Sequence, residues 1–144
     1  MAKTKSRAHR HPVRRSTHRL ARSLLASMFV SGGLDAVRHP EGKAKEAERV
    51  VAPLIRRFPG LPDDPETFVR ANGAVDVVAG VLLALGRFRR LAALVLMASL
   101  VPTTYAGHRF WEEAGDESRA QQRVHFLKNL GLLGGLMLAA TDPD

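Results

Sequence analysis

Polar and ionisable side chains interrupt the long apolar stretches of this chain, where few would be expected. They are Asp35, Asn72, Asp76, His108, His125, Lys128 and Asn129. A group of carboxylate, ammonium, amide and imidazole side chains could bind a ligand, relay a proton or hold neighbouring helices together. Which of these it does depends on the elements that position it.

Four apolar stretches carry these residues, and each is roughly long enough to cross a bilayer as a helix. They cover residues 20–38, 69–86, 91–108 and 124–140. The turn G-R-F-R-R between the second and third stretches is so short that the helices on either side must run antiparallel. With 144 residues, the chain is the size of one domain. We therefore predict an all-α integral membrane protein, an antiparallel four-helix bundle whose transmembrane domain spans 20–140.

The remaining segments are polar or amphipathic. Residues 1–19 are rich in Lys, Arg, His and Ser/Thr and nearly free of large apolar groups, which predicts a disordered basic head. Residues 141–144 form a short tail. Between the first two spans, residues 41–58 place apolar side chains at helical spacing opposite charged ones, which predicts an amphipathic helix that lies on the outer face of the membrane or caps the bundle.

The distribution of basic residues predicts the orientation of the bundle. The net charge of +8 is concentrated in residues 1–19 and in the turn G-R-F-R-R at 86–90, whereas the two longer connections also carry acidic residues. Cytoplasmic segments are enriched in Lys and Arg, so both termini are expected in the cytoplasm of a multi-pass plasma-membrane protein. The polar side chains then gather in the outer half of the bundle.

Asp76 and Lys128 are expected at similar depths. An isolated charge near the bilayer centre costs about 3 kcal/mol on insertion scales, so we predict that the two form an ion pair, extended by Asn72 and Asn129. These four residues are a structural clamp between helices, a ligand or proton site, or lipid-facing side chains that reach toward the polar boundary of the membrane. All three interpretations stay open at this point.

The other motifs have structural interpretations beside functional ones. His108 and His125 are expected at the outer ends of adjacent helices, and interfacial hydrogen bonding is favoured over metal coordination, so no metal site is predicted. An interfacial aromatic belt or a quinone platform is formed by Tyr105, Phe110 and Trp111. Glycines that predict close helix packing are Gly73, Gly80 and the G-x-x-x-G pair Gly131 and Gly135.

Three runs of residues together carry a resemblance to a known family. They are N-G-A-V-D-V-V-A-G-V-L-L-A-L-G-R-F-R-R, L-V-P-T-T-Y-A-G-H-R-F-W and H-F-L-K-N-L-G-L-L-G-G-L. They resemble the DoxX family of membrane proteins. The resemblance covers about residues 20–140 and is closest to the actinobacterial branch. It implies a plasma-membrane four-helix protein whose relatives include a membrane subunit of a thiosulfate:quinone oxidoreductase and a member linked to superoxide dismutase and a thiol-handling enzyme.

No motif of a soluble enzyme occurs, and there is no cysteine, so thiol chemistry would belong to partners. We expect a membrane subunit or scaffold of a redox or oxidative-stress complex, without catalytic activity of its own. Membrane lipid and redox enzymes are the expected partners, a homo-oligomer is a further option, and nucleic acid is not expected. No intrinsic cofactor is expected, and quinone is a candidate ligand. The alternatives are a purely structural protein and a pathway for a small solute or protons.

Overall fold

A computed structural model describes residues 12–58, 60 and 62–142, with side chains from residue 16 onward. The described chain forms five α-helices: α1 (Pro12–Arg38), α2 (Glu41–Arg57), α3 (Pro65–Leu85), α4 (Arg89–Gly107) and α5 (Asp116–Thr141). A short 3-10 helix (Phe110–Glu112) precedes α5, and the described residues include no strand. By length and composition, α1, α3, α4 and α5 can each cross a membrane. The predicted all-α membrane fold is confirmed.

Two helices begin earlier than the sequence predicts. Helix α1 starts at Pro12, so residues 12–19, expected in the disordered head, are helical, and the rest of that head lies outside the described residues. Proline suits the first turn of a helix because its missing N–H has no intrahelical partner there. Helix α5 starts at Asp116, eight residues before the predicted span, with Asp116 and Glu117 in its first turn. Acidic residues stabilise a helix start through the helix dipole.

The start and end of α3 follow from local sequence. Asp64 caps the helix: its carboxylate accepts hydrogen bonds from the backbone N–H groups of Glu66 and Thr67, both at 3.1 Å. The Thr67 hydroxyl also donates to it, at 2.7 Å. The Thr67 hydroxyl and the Glu66 N–H hold the pKa of Asp64 below its usual value. Gly86 ends the helix at φ 72°, a left-handed conformation that glycine adopts without strain.

Helix α2 confirms the amphipathic helix predicted between the first two spans. It packs against α3 and α4. It lies near the start of α3 and the end of α4, beside Val69 and Gly107, and we call this end of the bundle the α2 end. The opposite end, which carries the turn at 86–88, is the turn end. Val51 is the buried residue of α2, and Pro53 lies within the helix. One face of α2 therefore covers the α2 end of the bundle.

The closest helix contact joins α1 and α3. A Cβ atom built on Gly33 would lie 2.6 Å from the carbonyl oxygen of Gly73, and one built on Gly73 would lie 2.6 Å from that of Gly33. Gly80 similarly faces Val30 of α1. Close packing is thus confirmed for Gly73 and Gly80. It is wrong for Gly131, which has nothing within 4 Å of a built Cβ, because α5 turns this residue outward.

Large apolar side chains fill the centre of the bundle and also cover its outside. Leu83, Leu96 and Leu136 are fully buried in one cluster with Phe29. Outward-facing positions on the four long helices are also apolar, such as Leu138, which is 74% exposed. An apolar exterior of this extent requires lipid rather than water as its surroundings.

Polar and charged side chains from different parts of the chain meet at the turn end. Asp142, directly after α5, accepts a hydrogen bond at 2.6 Å from Nδ1 of His18 on α1. It also lies 3.6 Å from the guanidinium of Arg89 at the start of α4. The sequence reading assigned residues 141–144 to a tail, but Asp142 is fixed against the bundle. Residues 143 and 144 lie outside the described residues.

Candidate functional site

A cavity of about 390 Å³ lies at the α2 end, between α2 and the four long helices. The face of α2 that borders it carries Lys43, Glu46, Ala47, Val50, Val51 and Leu54. These residues follow the three-and-four spacing of a single helix face. The opposite walls come from α1, α3, α4 and α5. The cavity is therefore built from all five helices, at the level where the sequence analysis expected the polar groups.

Asn72 and Asp76 line the cavity from α3. They lie one helical turn apart, and the amide Nδ2 of Asn72 donates to Oδ2 of Asp76 at 3.3 Å and to Oγ of Ser99 on α4 at 2.9 Å. The other carboxylate oxygen of Asp76, Oδ1, is buried and has no hydrogen-bond partner among the described residues. The network thus links α3 to α4 and leaves one acceptor unsatisfied.

Asn129 reaches the cavity from α5. It is buried, and its Nδ2 donates to the hydroxyl oxygen of Thr104 at 2.9 Å. The Thr104 hydroxyl donates in turn to the backbone carbonyl of Leu100 at 2.6 Å. These two hydrogen bonds join α5 to α4. Asn129 therefore both links the two helices and lines the cavity.

Ser99 and Thr104 are polar neighbours of the cavity residues that were not among the candidate site residues. Both are buried on α4 and both accept from an asparagine of an adjacent helix. A signal was available, since Ser99 is a polar residue in an otherwise apolar run and Thr104 follows it by five residues. Serine and threonine hydroxyls often bond within their own helix, which gave no reason to prefer these two.

The two candidate histidines meet, but only one borders the cavity. The rings of His108 and His125 are stacked, with centroids 5.2 Å apart and planes 17° from parallel. His108 lines the cavity, and its Nδ1 lies 2.8 Å from Oε1 of Gln122 on α5. Within the described part of the chain, no group of three or more His, Cys, Asp or Glu side chains is placed to hold a metal ion.

The predicted Asp76–Lys128 ion pair is wrong. Lys128 is exposed on α5, and no carboxylate of a described residue lies within salt-bridge distance of it. Its neighbour Asn129 faces inward instead, because successive residues of a helix point about 100° apart. Similar depth therefore did not bring the two charges together. Lysine has a long apolar stem that can reach toward a polar boundary of the membrane.

Asp35 also lies away from the cavity. It is exposed at the end of α1, where its Oδ2 accepts from the Lys43 ammonium at 2.6 Å and its Oδ1 lies 3.5 Å from His39. The pair with Lys43 ties α2 to α1. Of the seven predicted polar residues, the cavity brings together Asn72, Asp76, His108 and Asn129.

The predicted aromatic residues separate into two groups at the α2 end. Phe110 and Trp111 pack edge-to-face on each other and on Phe126 of α5, with centroid distances of 5.1 to 6.0 Å. Tyr105 is apart from them, with the guanidinium of Arg109 4.1 Å above its ring. Trp111 and Tyr105 are each about half exposed. None of the three predicted aromatic residues lines the cavity, whereas Phe68 does.

The arrangement can hold a small molecule through hydrogen bonds to Asn72, Asp76 and Asn129 while apolar side chains surround the rest of it. Four membrane-length helices with an apolar exterior and a polar-lined cavity at one end define an integral membrane four-helix protein.

Comparison with known proteins gives the family. The DoxX family model matches residues 18–109, which is more than half of the chain. The chain belongs to the DoxX family. It is 33% identical over 70 residues to the inner membrane protein YphA of Escherichia coli (strain K12), a match that covers 48% of this chain and 49% of that protein. The chain thus matches about half the length of this relative. No solved structure matches the chain.

Proposed function

We propose that this protein is a membrane subunit or scaffold that holds a small amphipathic ligand in the cavity at the α2 end and docks partner enzymes, without catalytic activity of its own. The observation that carries the proposal is the cavity, because it combines a volume of about 390 Å³ with both apolar and hydrogen-bonding walls. Sites for small ligands have this composition, mostly apolar with a few placed polar groups.

We further propose that the turn end faces the cytoplasm of a plasma-membrane protein, so that both termini are cytoplasmic and the cavity lies in the outer half. Support comes from Arg87, Arg89 and Arg90 in and beside the turn, since cytoplasmic connections are enriched in basic residues. The chain has no cysteine, so single cysteines can be introduced cleanly. A membrane-impermeant maleimide should label Gly60→Cys in intact cells, and Phe88→Cys only after permeabilisation. The reverse pattern would contradict this orientation.

A quinone is one candidate for the ligand, and a redox or oxidative-stress complex is the assembly we propose. The support is the resemblance of the chain to DoxX proteins and the chemistry of the walls. The Asn129 amide has two N–H donors and uses one of them on Thr104, so the other could donate to a ring carbonyl, and Phe68 could contact the ring. No catalytic role is assigned to the chain, because any thiol reaction in such a complex would need a cysteine from a partner.

A pathway for solutes or protons is less well supported. From the cavity toward the turn end, the bundle interior is filled by a tight apolar cluster that includes Leu83, Leu96 and Leu136, each with no exposed surface. A wet route would have to pass through these side chains. The observation that favours a purely structural role is that two asparagines each join two helices. Asn72 on α3 bonds to Ser99 on α4, and Asn129 on α5 bonds to Thr104 on α4.

The test is ligand retention by the protein from native membranes. Wild type and Ala47→Phe are purified in mild detergent, and bound lipids, quinones and proteins are identified by mass spectrometry. Ala47 lines the cavity, so its replacement by phenylalanine should fill the space and remove the ligand. Ala74→Phe is the matched control, because Ala74 is exposed on α3 away from the cavity.

A small molecule found in wild type and Ala74→Phe but absent from Ala47→Phe supports the proposal. If all three proteins carry the same small molecules and proteins, the cavity binds nothing specific. A measurable flux in liposomes would favour the pathway, and loss of stability without loss of any bound component would favour the structural role.

A further inference from the structure

Two carboxylates border the cavity, and neither is paired with a cation of the described residues. They are Asp76 on α3 and Glu46 on α2. We propose that the cavity selects an amphipathic organic cation, a small molecule with a protonated amine head and an apolar body. This inference rests on the proposed function, in which the cavity binds a small ligand, and it assigns the chemical class of that ligand.

Asp76 provides the first reason. Its Oδ2 accepts a long hydrogen bond of 3.3 Å from Asn72, while its Oδ1 is buried and receives none. A buried polar atom without a hydrogen-bond partner is costly, and the cost is greater when the group is charged. An ammonium group in the cavity would bring a positive charge beside this carboxylate, which no cation of the described residues provides. A ketone or an ether carries no charge and can only accept hydrogen bonds, so it would leave the carboxylate without a counter-charge.

Glu46 provides the second reason. It is exposed at the rim of the cavity, and its Oε2 lies 2.9 Å from the position that a Cβ on Gly107 would occupy. The absence of a side chain on Gly107 thus leaves room for this carboxylate beside α4. No hydrogen bond or ion pair is formed by Glu46 within the described part of the chain. A negative group at the rim attracts cations toward the interior, where Asp76 lies.

The basic groups of the cavity are already occupied. The Lys43 ammonium is bound to Asp35 at 2.6 Å and lies 3.5 Å from the carbonyl of Gly32. His108 is bound to Gln122 at 2.8 Å. The charge left without a partner in the cavity is therefore negative. Phe68 adds an aromatic ring to the wall, and aromatic faces also attract cations.

Three probes of nearly equal size separate charge from shape. They are 2-phenylethylammonium, 2-phenylethanol and 3-phenylpropanoate, which present a cation, a neutral donor and an anion on the same apolar body. Binding is measured by equilibrium dialysis of radiolabelled probe against the full-length protein in lipid nanodiscs, with empty nanodiscs subtracted. We expect the cation to bind at least about tenfold more tightly than the alcohol, and the anion to bind least.

Two variants assign the preference to the carboxylates. Asp76→Asn and Glu46→Gln keep the size of each side chain and remove its charge, and each should weaken binding of the cation by about tenfold while changing binding of the alcohol little. Glu48→Gln is the matched control, because Glu48 lies on α2 outside the cavity lining. Glu46 and Glu48 are both exposed, so their variants test the inference even if Asp76→Asn folds poorly.

Equal affinity for cation and alcohol, or a cation affinity that Glu46→Gln and Glu48→Gln change alike, would overturn the inference. Binding of a quinone together with no preference for the cation would overturn it while leaving the proposed function intact. If no probe and no quinone binds above the empty nanodiscs, the proposed ligand site itself fails.

Discussion

Gly73 offers the most direct test of how the bundle is packed. Replacing it by alanine adds one Cβ atom that would lie 2.6 Å from the carbonyl oxygen of Gly33 and 2.9 Å from the Cβ of Ala36. Ordinary contact begins at 3.4 Å, so α1 and α3 must separate by roughly 0.8 Å at this level. Both obstacles are backbone or short side chains of a packed helix, so neither can rotate away.

Overpacking of this kind costs about 1–3 kcal/mol. Alanine also favours a helix over glycine, by up to about 1 kcal/mol, and this gain offsets part of the loss. We therefore expect Gly73→Ala to lose about 1–2 kcal/mol of unfolding free energy. Gly131→Ala is the control: nothing lies within 4 Å of its added Cβ, so it should be neutral or slightly stabilised.

The assay is reversible unfolding in mixed micelles, followed by circular dichroism as the fraction of denaturing detergent rises. The double variant Gly33→Ala/Gly73→Ala sharpens it, because the two glycines face each other's carbonyl oxygens. Once one alanine has separated the helices, the second should cost less than it does alone. Equal stability of Gly73→Ala and Gly131→Ala would refute the close contact between α1 and α3.

Three further outcomes concern the free energy of unfolding of other variants. Asn129→Leu should lose about 0.6 kcal/mol, the average for hydrogen bonds between membrane helices, because its bond to Thr104 is lost; an unchanged Asn129→Leu would argue against that bond. Lys128→Met should keep or gain stability, and its effect should add to that of Asp76→Asn, since Lys128 forms no ion pair with a described residue. Strong coupling between the two substitutions would support the ion pair after all. Asp64 has a lowered pKa in the folded protein. Its stabilising effect should therefore be complete above the ordinary carboxyl pKa of about 3.9 and should fade as the pH falls through the folded value. Unfolding measured at a series of pH values should show that Asp64→Asn lacks this part of the acid sensitivity.

Hydropathy was sufficient to predict the number and type of helices, because each span must satisfy its backbone hydrogen bonds internally. Spacing also predicted α2, since its cavity face repeats every three to four residues. The sequence analysis grouped Asp76, Asn72, Asn129 and His108 by their expected depth, and all four line one cavity.

Depth along the membrane left the direction of each side chain undetermined. Lys128 and Asn129 are adjacent in sequence, yet one is exposed and the other is buried on the contact with α4. Rotation of a nearly uniformly apolar helix about its axis is set by packing with its neighbours, and one sequence contains little information about it. The ion pair was mispredicted for this reason. Gly131 was misread for the same reason, while Gly33, which makes the tightest contact, lies outside any motif that was considered.

The contact between α1 and α3 constrains how the chain assembles during translation. Because α1 packs most extensively on α3 rather than on α2, the next helix in the sequence, α1 leaves the ribosome before its main partner and has to wait in lipid until residues 65–85 have been synthesised. Its glycine surface is unprotected during that interval. Asp142, directly after α5, accepts from His18 of α1, so this link between α5 and α1 can form only after the three other long helices have been made.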